Sequence, residues 1–348
     1  MDSLKLTAKI TGLLLVIFIA NNLLFAAFKL PFFWGSDYEK AYYYQTHANQ
    51  YNTIFIGSSL TQYQVNPVVF DSVNNARAVQ TRSFNYGIGG ACPSEIYSTF
   101  NHVLSHKPDS LKTVFAELTL IDNYDMGQMH KLRRTSTFNF DQYKIALPVT
   151  AEANYRWWQK LQFMVFDLSN LVEGAFKFNM LKDACTFHGK RKGIEKETHV
   201  QDFIPLSITD TSANVVHRHQ KFLQENLTDL QASRATTAKM FNDNTFLSSA
   251  KTDNAYVNMV QQMLVEARAK GVRLIFVLPP RLSEENYKDL LPVYYSIPVG
   301  QRIQLADANK YPDFYELKYS LDRQHVNADC VPMYTMALAT QFLQLASN

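Results

Sequence analysis

Residues 52–59 read NTIFIGSS, and the rest of the chain falls into order around this stretch. Asn52 to Ile56 is a short apolar run containing two isoleucines, the composition of a buried strand. Gly57-Ser58-Ser59 ends it, and a helix-compatible stretch follows toward Phe70. The pattern predicts strand, tight turn, helix. The rhythm then repeats: an extended segment over Arg82 to Asn85 runs into Gly87-Ile88-Gly89-Gly90, and a helical pattern follows from Ser94 to Leu104. Thr113 to Leu120, TVFAELTL, is nearly continuously apolar, as a strand covered on both faces must be.

Near the C-terminus the alternation resumes. A helix is predicted from Asn254 to Lys270, closed by Gly271, then a strand over Val272 to Leu278 that ends in Pro279-Pro280. A short strand near Gln304 to Ala306, a loop through Leu321 to His325 and a terminal helix from Asp329 to Leu345 follow. Alternating strands and helices predict a three-layer α/β/α sandwich with a mainly parallel sheet. Between about 124 and 252 the rhythm breaks into polar and helix-like pieces, which reads as a helical insertion. It carries the aromatic run Tyr155-Arg156-Trp157-Trp158 and an amphipathic piece from Leu161 to Phe178. These aromatics, with Phe163, Phe166 and Phe176, suit core packing or a membrane surface better than a glycan or acyl-chain groove.

Ile10 to Phe28 is a run of 19 residues without a charge, just long enough to span a bilayer core. Lys5 and Lys9 precede it, and Phe32, Phe33, Trp34, Tyr38, Tyr42, Tyr43 and Tyr44 follow. That arrangement predicts a cytoplasmic N-terminus and an interfacial aromatic belt on the far side, with the remainder of the chain extracytoplasmic. A cleaved signal peptide and a buried core helix are the alternatives, and Asn21 and Asn22 weigh against a spanning helix. The expected division is an anchor over 1–35 and one catalytic domain over 36–348.

With 47% hydrophobic residues the chain can bury a large core. Its 34 basic and 31 acidic residues are dispersed, so no footprint for nucleic acid stands out. Cys92, Cys185 and Cys330 lack metal-type spacing, and Cys92 reads as a small core residue. His217-Arg218-His219 reads as a solvated polar segment rather than a metal site. No metal and no cofactor is expected.

Catalytic groups in such sheets collect where the strands end. A serine at a strand-to-helix turn exposes its hydroxyl and leaves its own N–H available to an oxyanion, and Ser59 fits that position better than Ser58. The Gly89-Gly90 turn can bring a second backbone N–H close to substrate, Gly90 being the candidate. Asp322 and His325, three apart in a loop, can set a carboxylate on one imidazole nitrogen while the other faces the serine. Nucleophile, base and orienter are then all present.

Gly57-Ser58-Ser59, the Asn85-Tyr86-Gly87-Ile88-Gly89-Gly90 turn and Asp322-Arg323-Gln324-His325 together resemble the first, second and fifth sequence blocks of the SGNH/GDSL hydrolases. The resemblance covers most of residues 51 to 345. It implies Ser59 as nucleophile, the backbone of Ser59 and Gly90 in the oxyanion hole, His325 as general base and Asp322 as its orienter. The family's third block supplies a further donor from an asparagine in Gly-x-Asn-Asp. Here the matching stretch is Thr119-Leu120-Ile121-Asp122, in which Ile121 cannot donate, and Asn123 is the candidate substitute. The paired serine, Pro279-Pro280 and His325-Val326-Asn327 are similar to the membrane-associated branch that acetylates alginate or services teichoic-acid D-alanylation.

The expectation that follows is a membrane-anchored serine esterase or O-acyltransferase, with acetyl as the group the resemblance implies. It would act on a cell-surface glycan beside an integral-membrane acyl donor protein. Two other classes remain open: a glycan-binding or assembly component that keeps the fold without turnover, and a lipid esterase or thioesterase.

Overall fold

The computed structural model describes residues 2–28, 36–120, 138–176, 213–241 and 253–347. The chain divides into two compact units, Met1–Tyr42 with Asp122–Lys196 and Tyr43–Ile121 with Glu197–Asn348. Five strands lie in the second unit: β1 Thr53–Gly57, β2 Ser83–Gly87, β3 Thr113–Glu117, β4 Arg273–Leu278 and β5 Arg302–Gln304. Among the described residues they form one parallel sheet in the order β2-β1-β3-β4-β5. The helices are α1 Asp2–Phe28, α2 Ser36–His47, α3 Ser59–Gln64, α4 Pro67–Asn75, α5 Pro93–Ser105, α6 Phe140–Glu152, α7 Trp157–Phe176, α8 Ala213–Lys221, α9 Leu227–Met240, α10 Asn254–Ala269, α11 Glu284–Ser296 and α12 Val331–Ser347.

Every residue of β1, β2 and β3 is buried, as strands covered on both faces must be, and the polar Ser83, Asn85 and Glu117 among them are hydrogen-bonded. Alternate side chains go to opposite faces. Phe55, Phe115, Ile275, Val277 and Ile303 share one face and form a core with Phe70 of α4 and Leu338 and Phe342 of α12. Phe55 and Phe115 stack at 4.8 Å, and Phe70 and Phe342 meet this pair edge-on at 4.9 and 5.3 Å. Each such ring contributes about 1.5–3 kcal/mol by leaving water. Ile54, Ile56, Val114, Ala116, Leu274 and Phe276, the alternate residues, are also buried, and α5 and α10 pack on β1, β3 and β4. A parallel sheet with helices on both faces is the result, as the alternation predicts.

Some boundaries differ from expectation. The helix after Ser59 is two helices, because Asn66 is extended before Pro67 and its side chain caps α4 by accepting from the N–H groups of Val68 and Val69. The strand expected at 304–306 is Arg302–Gln304. Helix α11, capped by Ser283, was hidden by Pro292 inside it.

In the first unit, α1 begins at Asp2, well before the uncharged run at Ile10, and its segment Leu4–Leu24 is long and apolar enough to cross a membrane. It packs on α7, which also packs on α6. The stretch read as one insertion is therefore shared: α6 and α7 belong to the first unit, α8 and α9 to the second.

Candidate active site

All strands are parallel, so Gly57, Gly87, Glu117 and Leu278 end at one edge of the sheet. The strand order reverses between β1 and β3, since the chain runs outward from β1 to β2 and crosses back to β3. Sites form where neighbouring connections diverge in this way. Ser59 leaves β1 there.

Ser58 is extended and caps α3, its hydroxyl oxygen accepting from the Leu60 N–H at 3.2 Å. Ser59 is then the first residue of α3 and half-buried, with its backbone N–H in the turn that has no helix carbonyl to take it. Its Oγ lies 2.7 Å from His325 Nε2. On the other side of the ring, His325 Nδ1 lies 2.9 and 3.0 Å from the two oxygens of Asp322. The carboxylate assigns the proton to Nδ1 and leaves Nε2 to accept from the serine hydroxyl. The structure thus brings together the three residues read from the sequence.

The loop that carries two of them is built locally. Asp322 Oδ1 accepts from the N–H groups of Gln324 and His325 at 2.8 and 2.7 Å, which folds the four residues into a turn around the carboxylate. An antiparallel bridge between Ser320 and Val326 closes its base. Burial works to raise the Asp322 carboxyl, but His325 and then Arg218 outweigh it and hold the group well below the ordinary carboxylate range.

Arg218 corrects the reading of 217–219 as merely solvated. It sits on α8 and forms an ion pair with Asp322 Oδ2, while His219 Nδ1 meets the Leu321 carbonyl at 2.7 Å. Arg218 Nη2 is also 3.0 Å from His325 Nδ1. Both nitrogens are donors once Nδ1 carries its proton, so they converge on one carboxylate rather than bonding each other.

Two further residues were missed. Arg281, fully buried after Pro279-Pro280, has φ 68°. Its guanidinium donates to the carbonyls of Arg323 at 3.1 Å, His325 at 3.0 Å and Asp322. A left-handed non-glycine backbone costs about 1–2 kcal/mol, and the three-way fork is what fixes it here. Burial lowers this guanidinium to about 10, with Asp322 the leading charge working against that, so it stays charged at neutral pH.

Glu117, the last residue of β3, is the second. Its Oε1 accepts from Ser58 Oγ at 2.5 Å, and its Oε2 accepts from Ser58 N–H at 3.0 Å, Thr61 N–H at 3.0 Å and Thr61 Oγ1 at 2.6 Å. Burial pushes this carboxyl up, while Ser58 and Thr61 pull it back. A Cβ on Gly57 would stand 1.9 Å from Thr61 Oγ1 and 2.6 Å from Glu117 Oε2, so only glycine lets the carboxylate under the turn. The signal in the sequence was one acid inside TVFAELTL: a charge in a buried strand needs partners.

The neighbouring turn is tied to this one, Ile88 N–H donating to the Gly57 carbonyl at 2.8 Å. Ala91 N–H donates back to Ile88 at 3.0 Å, and Gly90, with φ 69°, occupies the position in that turn that needs a left-handed residue. Cys92 is buried at the start of α5, its Sγ 3.2 Å from Ser94 Oγ. Asn123, Ile121 and Asp122 lie outside the described residues.

No known protein-family profile matches the chain, and neither the curated proteins nor the solved structures yield a significant match.

Proposed function

We propose that the chain is a serine esterase or O-acyltransferase of SGNH type, tethered to a membrane by α1 and acting outside the cytoplasm on a cell-surface glycan. The observation that carries this reading is the continuous contact from Ser59 Oγ through His325 to Asp322. Ser59 Oγ attacks an acyl carbonyl as its proton passes to His325 Nε2. The negative charge that develops on the carbonyl oxygen is met by backbone N–H groups at Ser59 and Gly90. The imidazolium returns its proton to the leaving oxygen, and an acyl-serine remains. Water, or a sugar hydroxyl, then attacks that ester with His325 again as base. Transfer to a glycan calls for an acyl donor delivered at the membrane, and the resemblance to the alginate and teichoic-acid proteins supports an integral-membrane protein in that role.

The test is hydrolysis of p-nitrophenyl acetate by the full-length protein in detergent, beside Ser59→Ala. Loss of nearly all p-nitrophenol release in the variant is expected. Equal release from both would overturn the esterase reading and favour a glycan-binding component.

A further inference from the structure

Helix α7 is inverted relative to a helix that meets water. Its buried positions are Phe163, Asp167, Asn170 and Gly174, and the Asn170 amide has no hydrogen-bond partner among the described residues. Its exposed positions include Trp157 (76% exposed), Leu161, Val165, Leu168 and Val172, with Trp158 beside them. Steps of four, four, three and four residues put these five on one stripe, roughly opposite the buried polar face. Lys160, Asp167 and Glu173 all fall outside the stripe at 100° per residue. Polar side chains facing protein and large apolar ones facing outward is the arrangement that a lipid environment selects.

The same helix is joined to α1. Asn21 Nδ2 donates to the Phe176 carbonyl at 2.9 Å, and Asn22 Nδ2 donates to the Ala175 carbonyl at 3.2 Å. Phe18 meets the Phe176 ring edge-on at 5.6 Å. The two asparagines that weigh against a spanning helix are thus occupied with the unpaired carbonyls at the end of α7, as interhelical polar contacts are in membranes. The apolar surface of α1 is almost wholly exposed, 6% of its candidate span being buried, and α7, which carries the stripe, packs on α1 within the same unit.

We infer that α7 is a second membrane element, lying against the bilayer with Trp157, Leu161, Val165, Leu168 and Val172 in contact with the acyl chains. The inference rests on the reading of α1 as a membrane helix. Tryptophans at the start of the stripe suit the boundary between headgroups and chains.

The experiment uses full-length Trp34→Phe protein, in which Trp157 and Trp158 are the remaining tryptophans. It is reconstituted into vesicles of phosphatidylcholine with brominated acyl chains, and into unbrominated ones. An apolar face about 5–10 Å into the boundary brings the rings to the bromines, so emission falls about twofold or more in the brominated vesicles. Flotation of the vesicles after alkaline carbonate washing reports separately on α1. Protein that floats with unquenched emission overturns the α7 inference and leaves the anchor standing; a blue-shifted, unquenched signal assigns the stripe to a protein partner or second copy, which overturns it equally. Protein that fails to float overturns the anchor and the inference with it.

Discussion

Glu117 holds Ser58, not Ser59: its Oε1 takes the Ser58 hydroxyl at 2.5 Å, and its other oxygen takes the Ser58 N–H and both donors of Thr61. The residue before the candidate nucleophile is therefore fixed to the end of the adjacent strand, and the Ser59 side chain is left to His325. This gives the paired serine a division of labour. One hydroxyl caps and anchors the turn, and the other faces His325 Nε2.

Glu117→Gln tests whether that anchor is a carboxylate. Four donors suit an ionised acceptor, whereas burial favours the neutral acid. If it is ionised, glutamine places an NH₂ where an acceptor is needed, and stability falls by about 1–3 kcal/mol. Ser59 then loses its fixed position, so kcat falls while KM changes little. Thermal melts and initial rates on p-nitrophenyl acetate measure both. A loss below about 0.5 kcal/mol would mean that Glu117 is held as the neutral acid, since an amide then replaces it at little cost.

Arg281 works through geometry rather than charge, because its fork reaches three carbonyls of the Asp322 loop. Arg281→Lys keeps the charge and loses the fork. Both Lys and Met at this position are expected to lower the melting temperature and kcat together, since each leaves buried carbonyls without a donor at about 1–3 kcal/mol apiece. Full rescue by lysine would show that Arg281 acts as a charge alone.

The sheet and the Ser59, Asp322 and His325 cluster were legible for one reason: each rests on local pattern. Apolar runs of strand length, glycine at the turns and Asp-x-x-His in a loop are short-range features that carry their own physical rationale. The partners that fix the site are not local. Glu117 reaches Ser58 across 59 positions, Arg281 reaches His325 across 44, and Arg218 reaches Asp322 across 104. Nothing near Arg218 distinguishes it from a surface arginine, and only folding shows which carboxylate it meets. Glu117 alone left a trace, as the one acid in an apolar strand.

Asp322 makes a prediction in which activity and stability separate. Its carboxyl is depressed in the folded protein, so its contribution to stability is present above the unfolded carboxylate value and fades as pH falls below it. Below about pH 3.9, each unit removes about 1.4 kcal/mol of that contribution, because the unfolded chain takes up a proton that the folded one does not. Asp322→Asn lacks this term. The gap in melting temperature between the parent and Asp322→Asn should therefore be widest near pH 7 and shrink between pH 4 and pH 3. Activity behaves differently, because asparagine can donate to His325 Nδ1 and turn a protonated Nε2 toward Ser59, the wrong tautomer for a base. In a triad that inversion lowers kcat by about 10⁴, and it does so at neutral pH where both proteins are folded. A melting gap that stays constant from pH 7 to pH 3 would mean that Asp322 is not held ionised by His325 and Arg218, and the orienting role would fall with it.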